Sequence, residues 1–200
     1  MEWETDLIAA LYIEPDGCYS KLSGVDAWCE MRDARCYSGP YPVVAHPPCQ
    51  RWGRFWHGST RKPHQFKLGD DGGCFAAALA ALESFGGVLE HPCDSHAWKH
   101  FGLTPPKRFS GWQPTPGPIV DLVDGNGNVQ DQRRREGQWW TCYVEQGHYG
   151  HMSRKPTWLL TCGIQEINLP ELNWSKGEQR LHPTALARHG YAKARRIGMT

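Results

Sequence analysis

The sequence predicts an α/β domain, compact and loop-rich, built on a mostly parallel sheet. Three observations carry this. Short apolar or β-branched runs alternate with one strong helical pattern. Chemically reactive residues follow the ends of two of those runs. A chain of 200 residues, 40% hydrophobic and 22% charged, is long and apolar enough to bury one core, so residues 1–200 read as a single domain.

Residues 7–13 (LIAALYI) read as a buried strand, closed by the turn signal Pro15-Asp16-Gly17. Residues 25–37 (VDAWCEMRDARCY) are predicted helical, and Gly39-Pro40-Tyr41-Pro42 breaks the chain after them. Residues 42–46 (PVVAH) form a short strand. Pro47 and Pro48 stop it, because proline removes a backbone donor and restricts its predecessor. Cys49 therefore stands on a rigid turn past the carboxyl end of a strand, the edge where open α/β sheets bind ligands. A basic and aromatic loop covers 50–68. Residues 70–85 carry the clearest helix, with Asp70 and Asp71 at its start and Gly86-Gly87 at its end. Residues 87–90 (GVLE) form the next strand, ending at Glu90. Residues 104–137 are irregular, and Asp124-Gly125 with Asn126-Gly127 marks a candidate hairpin tip. Residues 139–145 and 157–161 read as strands, and 184–197 as a basic helical piece. No internal repeat is visible.

Composition narrows the function classes. The opening MEWETD is acidic and lacks the apolar run of a secretory leader. No stretch approaches the length of a membrane span. The eight cysteines are accordingly expected as thiols, metal ligands or a nucleophile in a cytoplasmic protein, rather than as disulfides. The ten tryptophans serve either as core filler or as base-stacking surfaces. A net charge of +1 does not announce nucleic acid, but the basic residues are clustered. Arg51, Arg54, Arg61 and Lys62 follow Cys49. Arg133, Arg134 and Arg135 form one run, and Lys193, Arg195 and Arg196 another. Such clusters track phosphates or are simply solvated faces.

Cys49 has two readings. A buried structural thiol is the plainer one. As a nucleophile it would need its thiolate favoured by positive groups, and Arg51 and Arg54 are near in sequence. Glu90 sharpens the second reading, since its strand would lie beside the Cys49 strand. An acid there can protonate a ring nitrogen while a thiolate attacks the ring. Its alternative is to cap a turn or pair with an arginine.

These residues carry a family resemblance. VVAHPPCQRWG (43–53) resembles the Pro-Pro-Cys-Gln loop of DNA (cytosine-5) methyltransferases. VLEHP (88–92) resembles their Glu-Asn-Val strand end, with His91 at the Asn position. The step of 41 residues from Cys49 to Glu90, with a helix between, is similar to the family's interval. YGHMSRKPTWL (149–159) resembles the later segment in which Tyr-Gly precedes basic residues and a strand, although the family's Arg-x-Arg is not preserved. Together these segments span roughly 43–160, and the compact form is similar to a phage or prophage branch of the family.

The resemblance implies a Rossmann-like, methyltransferase-type fold acting on DNA in a bacterial or phage-infected cell. It also implies transfer of a methyl group from S-adenosylmethionine to C5 of a flipped-out cytosine. Cys49 would attack C6, Glu90 would hold and protonate N3, and Arg154 would contact the base O2 or the covalent intermediate. Asp16, Gly17, Glu30, Asp33 and Pro47 are the candidates for the cofactor. Gln50, Arg51, Arg54, Arg133, Arg134, Arg135 and Lys155 are the candidates for DNA, with 104–137 as a small target-recognition element.

The sequence departs from the family in its single glycine within 11–20, where several are expected, in lacking a target-recognition domain of family size, and in showing no evident closing motif after 160. Three alternatives therefore stay open: transfer of another group to a pyrimidine, a non-catalytic DNA-binding relative, and a zinc-stabilised module. The last would draw on His46/Cys49, His91/Cys93 or His148/His151.

Overall fold

The first strand, β1 (Ile8–Leu11), lies parallel to both β2 (Val25–Trp28) and β3 (Val43–Ala45). The computed structural model describes residues 7–58, 66–123 and 129–178. After β3 come helix α1 (Cys74–Phe85), strand β4 (Gly87–Pro92) and the short helix α2 (His96–His100). They are followed by β5 (Gln113–Thr115), β6 (Ile119–Val123), β7 (Val129–Arg134), β8 (Trp139–Glu145) and β9 (Pro156–Cys162). Seven strands form one sheet in the order β2-β1-β3-β4-β9-β8-β5, while β6 and β7 pair only with each other. The sheet is mixed. β2, β1, β3 and β4 are parallel, and β9, β8 and β5 continue it antiparallel.

Alternation along the strands decides which face each side chain meets. Val43, Ala45 and Leu89 join the main hydrophobic cluster against α1, whose Phe75, Ala78, Leu79 and Leu82 form one buried stripe. Val44, Val88 and Glu90 point to the opposite face, where they line a cavity. A slip of one residue in β3 or β4 would exchange the two sets. The β3–β4 pairing also depends on Gly87. It has φ +114°, and a Cβ there would collide with the Val43 backbone.

Helix α1 begins later than its acidic residues suggest. Asp71 lies outside it and accepts the N–H groups of Gly73 and Phe75 together with the Trp52 indole N–H. The cap thereby ties the helix start to the loop that follows Cys49.

Two expectations are corrected. Residues 25–37 are not a helix: 25–28 pair with β1, and 30–32 and 34–36 are single 3-10 turns separated by Asp33 in a left-handed conformation (φ +49°). Long-range pairing with β1 outweighs the local helical composition. Residues 104–137 are not uniformly irregular either, since β5 adds an edge strand to the main sheet and β6–β7 form a hairpin. The candidate tip at 124–127, the basic residues Arg61 and Lys62, and the basic piece 184–197 with Lys193, Arg195 and Arg196 lie outside the described residues. Among the described residues, no helix is long and apolar enough to cross a membrane.

Candidate functional site

The carboxyl ends of β1 and β3 converge. The N–H of His46 donates to the Leu11 carbonyl at 3.0 Å, and Tyr12 N–H donates to the Trp28 carbonyl at 2.9 Å. The connection from β1 runs to β2 on one side and that from β3 runs through α1 to β4 on the other, which opens a crevice between the ends of β1 and β3. Two cavities occupy this edge and share Tyr12, Ile13 and Glu14 as a common wall.

The larger cavity is about 730 Å³. Its floor is the apolar sheet face of Val44, Val88, Val144 and Leu159, and its polar end holds Tyr19, His46, Glu90, Gln146 and Lys155. Glu90 is the hub. Its Oε2 lies 3.1 Å from His46 Nδ1, and its Oε1 accepts from Gln146 Nε2 at 2.8 Å and from the Thr157 hydroxyl at 3.4 Å. Lys155 Nζ lies 3.9 Å from the same Oε1. Burial pushes the Glu90 carboxyl up, but the His46 hydrogen bond and the charges of Lys155 and His46 outweigh it and hold the group below its ordinary value.

Cys49 sits between the cavities in the chain. Pro48 and Gln50 line the smaller one and His46 the larger. The Cys49 carbonyl accepts the N–H groups of Trp52 at 3.0 Å and Gly53 at 2.7 Å, which closes a tight turn. Trp52 anchors that turn, being buried, bonded to Asp71 through its indole, and accepting the His96 N–H on its carbonyl. The half-buried thiol feels both Glu90 and Lys155. Burial pushes its pKa up and Glu90 adds to this, against its own N–H and Lys155. Neither arginine expected to activate it does so. Arg51 stacks on Phe66 at 3.5 Å, and the exposed Arg54 lies 4.0 Å from Asp94.

The smaller cavity is about 560 Å³ and is lined by Tyr12, Cys29, Glu30, Asp33, Pro48, Gln50 and Cys74, among others. This volume falls in the range of small-molecule sites, about 300–1,000 Å³. Glu30 is exposed just past the end of β2. Asp33 is already bound to Arg35 through two hydrogen bonds of 2.8 and 2.7 Å, which leaves Glu30 as the better placed acid for a ligand. Pro47 is buried, and its neighbour Pro48 lines the cavity. Gly17 lines the larger cavity, and Asp16 is exposed and lines neither. A Cβ on Gly17 would come 3.1 Å from the Glu14 carbonyl, so the loop after β1 folds closely on itself.

The remaining candidates divide. Arg154 turns away from Glu90 and lies 3.7 Å from the buried Glu145, which also accepts from the Tyr143 hydroxyl and the Gly177 N–H. Lys155, the next residue, is the cation that reaches Glu90, on a backbone at φ +35°. In the run 133–135, Arg133 and Arg134 are exposed and Arg135 is half-buried. Arg134 donates to the Gly117 carbonyl at 2.6 Å, and Arg135 pairs closely with Glu83.

Sequence reasoning passed over Tyr19, Gln146 and Thr157, which gave no local signal. His46 stood three residues before Cys49 but was weighed only as a metal ligand. Among the described residues, no group of three or more His, Cys, Asp or Glu is placed to hold a metal ion. Comparison of the chain with protein-family models, curated proteins and solved structures finds no match.

Proposed function

We propose that the protein methylates C5 of cytosine in DNA, with Cys49 as covalent nucleophile and Glu90 as the acid at N3. The observation that carries this reading is the placement of Cys49 and Glu90 past and within adjacent parallel strands, β3 and β4, in electrostatic reach of each other, beside a second cavity of cofactor size. A cytosine entering the larger cavity would meet Glu90 with its N3 edge. Cys49 would lose its proton and add to C6 while N3 gains one, so the ring stays uncharged and C5 becomes nucleophilic. After C5 is methylated, a base removes the C5 proton, the Cys49–C6 bond breaks, and N3 returns its proton. Burial raises the Cys49 pKa in the free protein, and Lys155 is the cation that favours its thiolate.

S-adenosylmethionine, when bound, supplies the electrophilic methyl group. The residues fit it: Glu30 for its hydroxyls, Pro48 and Tyr12 as walls, and the tight loop 12–17 in place of a glycine-rich turn. That loop carries one glycine, so a different donor to the same pyrimidine carbon is the second reading. Arg54, Arg133 and Arg134 are exposed cations available to DNA phosphates, and 104–137 is the candidate target-recognition element. The setting that fits this activity is the cytoplasm of a bacterial or phage-infected cell.

The test is intact mass of the protein mixed with DNA carrying 5-fluorocytosine in varied sequence contexts, with and without S-adenosylmethionine. Fluorine at C5 blocks release. The expected result is a covalent adduct that requires the cofactor and disappears in Cys49→Ser. Absence of any adduct, with folding and DNA binding verified, sinks the methylation reading.

A further inference from the structure

His46 is placed to do more than hold Glu90. One ring nitrogen, Nδ1, stands 3.1 Å from Glu90 Oε2, and the other, Nε2, stands 2.9 Å from the Tyr19 hydroxyl. The two rings lie 5.2 Å apart between centroids. The other carboxylate oxygen is taken by Gln146 and Thr157, so His46 is the proton-carrying partner of Oε2 among the described residues. All three groups line the larger cavity, with His46 and Glu90 side chains 26% and 14% exposed, which shields the pair from bulk water without sealing it.

We propose that Tyr19, His46 and Glu90 form a proton relay that charges Glu90 for protonation of the pyrimidine. This rests on the methylation reading and adds to it the source of the N3 proton. Glu90 is held as a carboxylate by its neighbours and cannot protonate N3 unaided. With His46 protonated, the proton on its Nδ1 passes to Glu90 and on to N3 as the Cys49 sulfur, its own proton released to solvent, bonds to C6. The imidazolium thereby becomes neutral, and its Nε2–H donates to the Tyr19 oxygen, which keeps Nδ1 as the nitrogen that loses and regains the proton. When the Cys49–C6 bond breaks, the N3 proton returns by the same route, so the relay ends as it began. Other ionisable groups facing the relay are Lys155 beside Oε1, the Cys49 thiol, Cys18 next to Tyr19, and Glu14 and His151 in the cavity wall. His46 and Tyr19 act through Glu90 and are positioning residues.

The experiment follows the rate of 5-fluorocytosine adduct formation from pH 5 to 9 in wild type, His46→Gln, His46→Ala and Tyr19→Phe. Carbon-13 NMR of the Glu90 carboxyl is recorded alongside in the free protein. The relay predicts that His46→Gln, which can still hydrogen-bond Glu90, slows trapping at least tenfold and flattens the pH profile. Added imidazole should restore His46→Ala. The Glu90 titration should move up in His46→Ala. Wild-type rates and an unchanged pH profile in His46→Gln, or a loss in His46→Ala that imidazole does not restore, overturn the relay and leave methylation standing. No trapping by wild type, with the Glu90 titration still moved by His46→Ala, overturns methylation and the relay's catalytic use with it, while the proton-sharing pair itself survives.

Discussion

Lys155 Nζ stands 3.9 Å from Glu90 Oε1, whereas its neighbour Arg154 is held 3.7 Å from Glu145. The left-handed backbone at Lys155 (φ +35°) separates the two adjacent cations, one for the cavity and one for the support behind it. Replacing them should therefore have different consequences. In Lys155→Met, the pH at which Cys49 becomes alkylable should rise, since Lys155 favours the thiolate. In Arg154→Met it should not move, but thermal stability should fall as the buried Glu145 loses its cation. Peptide-resolved iodoacetamide labelling against pH, with melting curves, separates the two. Equal shifts in both variants would contradict this division.

Glu90 opposes the Cys49 thiolate in the free protein. Glu90→Gln should thus lower the pH at which Cys49 labels, even while it abolishes adduct formation on fluorinated DNA. A more reactive cysteine in a less active protein is an unusual pairing, and the same labelling measurement reads it. Unchanged or slower labelling would mean that the two side chains do not sense each other.

His91 is fully buried in β4, edge-on to Phe75 with ring centroids 5.2 Å apart, and the Pro48 backbone is its polar neighbour. Burial drives its pKa from 6.5 down to about 4, against the charges of Glu90 and Asp71. The neutral ring is the form the fold accepts. Its stabilising effect is full above about pH 6.5 and is lost as pH falls toward 4, by roughly 3 kcal/mol at about 1.4 kcal/mol per pH unit. His91→Asn should lower stability at pH 7.5 but flatten the loss between pH 6.5 and 4. Urea unfolding of both proteins at pH 7.5, 5.5 and 4 checks it, and parallel curves would count against the buried-histidine account.

Gly87 lets β4 approach β3 closely. Gly87→Ala should cost on the order of 3 kcal/mol or more, through both the clash with the Val43 backbone and the positive φ. Because that pairing sets Glu90 beside the Cys49 turn, DNA trapping should fall with it. Denaturant unfolding with unchanged midpoint would refute the close approach.

On the DNA reading, Arg133 and Arg135 should behave differently. Arg133→Ala should weaken DNA binding across sequences and reduce the salt slope by about one unit. Arg135→Ala should instead lower stability, because Arg135 joins the chain after β7 to Glu83 of α1. Binding isotherms at several salt concentrations, with unfolding curves, distinguish them.

Much of the framework was legible in the chain because it is local. The apolar runs at 7–13, 42–46 and 139–145 and the Ala-rich helix before Gly86 declare themselves by period, and two prolines end a strand wherever they occur. The adjacency of the strands that lead to Cys49 and carry Glu90 was legible too, since a strand–turn–helix–strand unit brings neighbouring parallel strands together. Residues 25–28 were not, because their pairing partner lies seventeen positions earlier in the register Ile8–Val25, and no local pattern encodes it. The same limit hid the company of Glu90. Tyr19, His46 and the pair Gln146 and Lys155 come from three separate segments, and only the closing of β9 onto β4 and the return of β3 beside β1 set them around one carboxylate. Residue type thus marked where chemistry could occur. Which cation faces the cavity, and which way each thiol and carboxyl is shifted, was decided by burial and by charges brought together only in the folded chain.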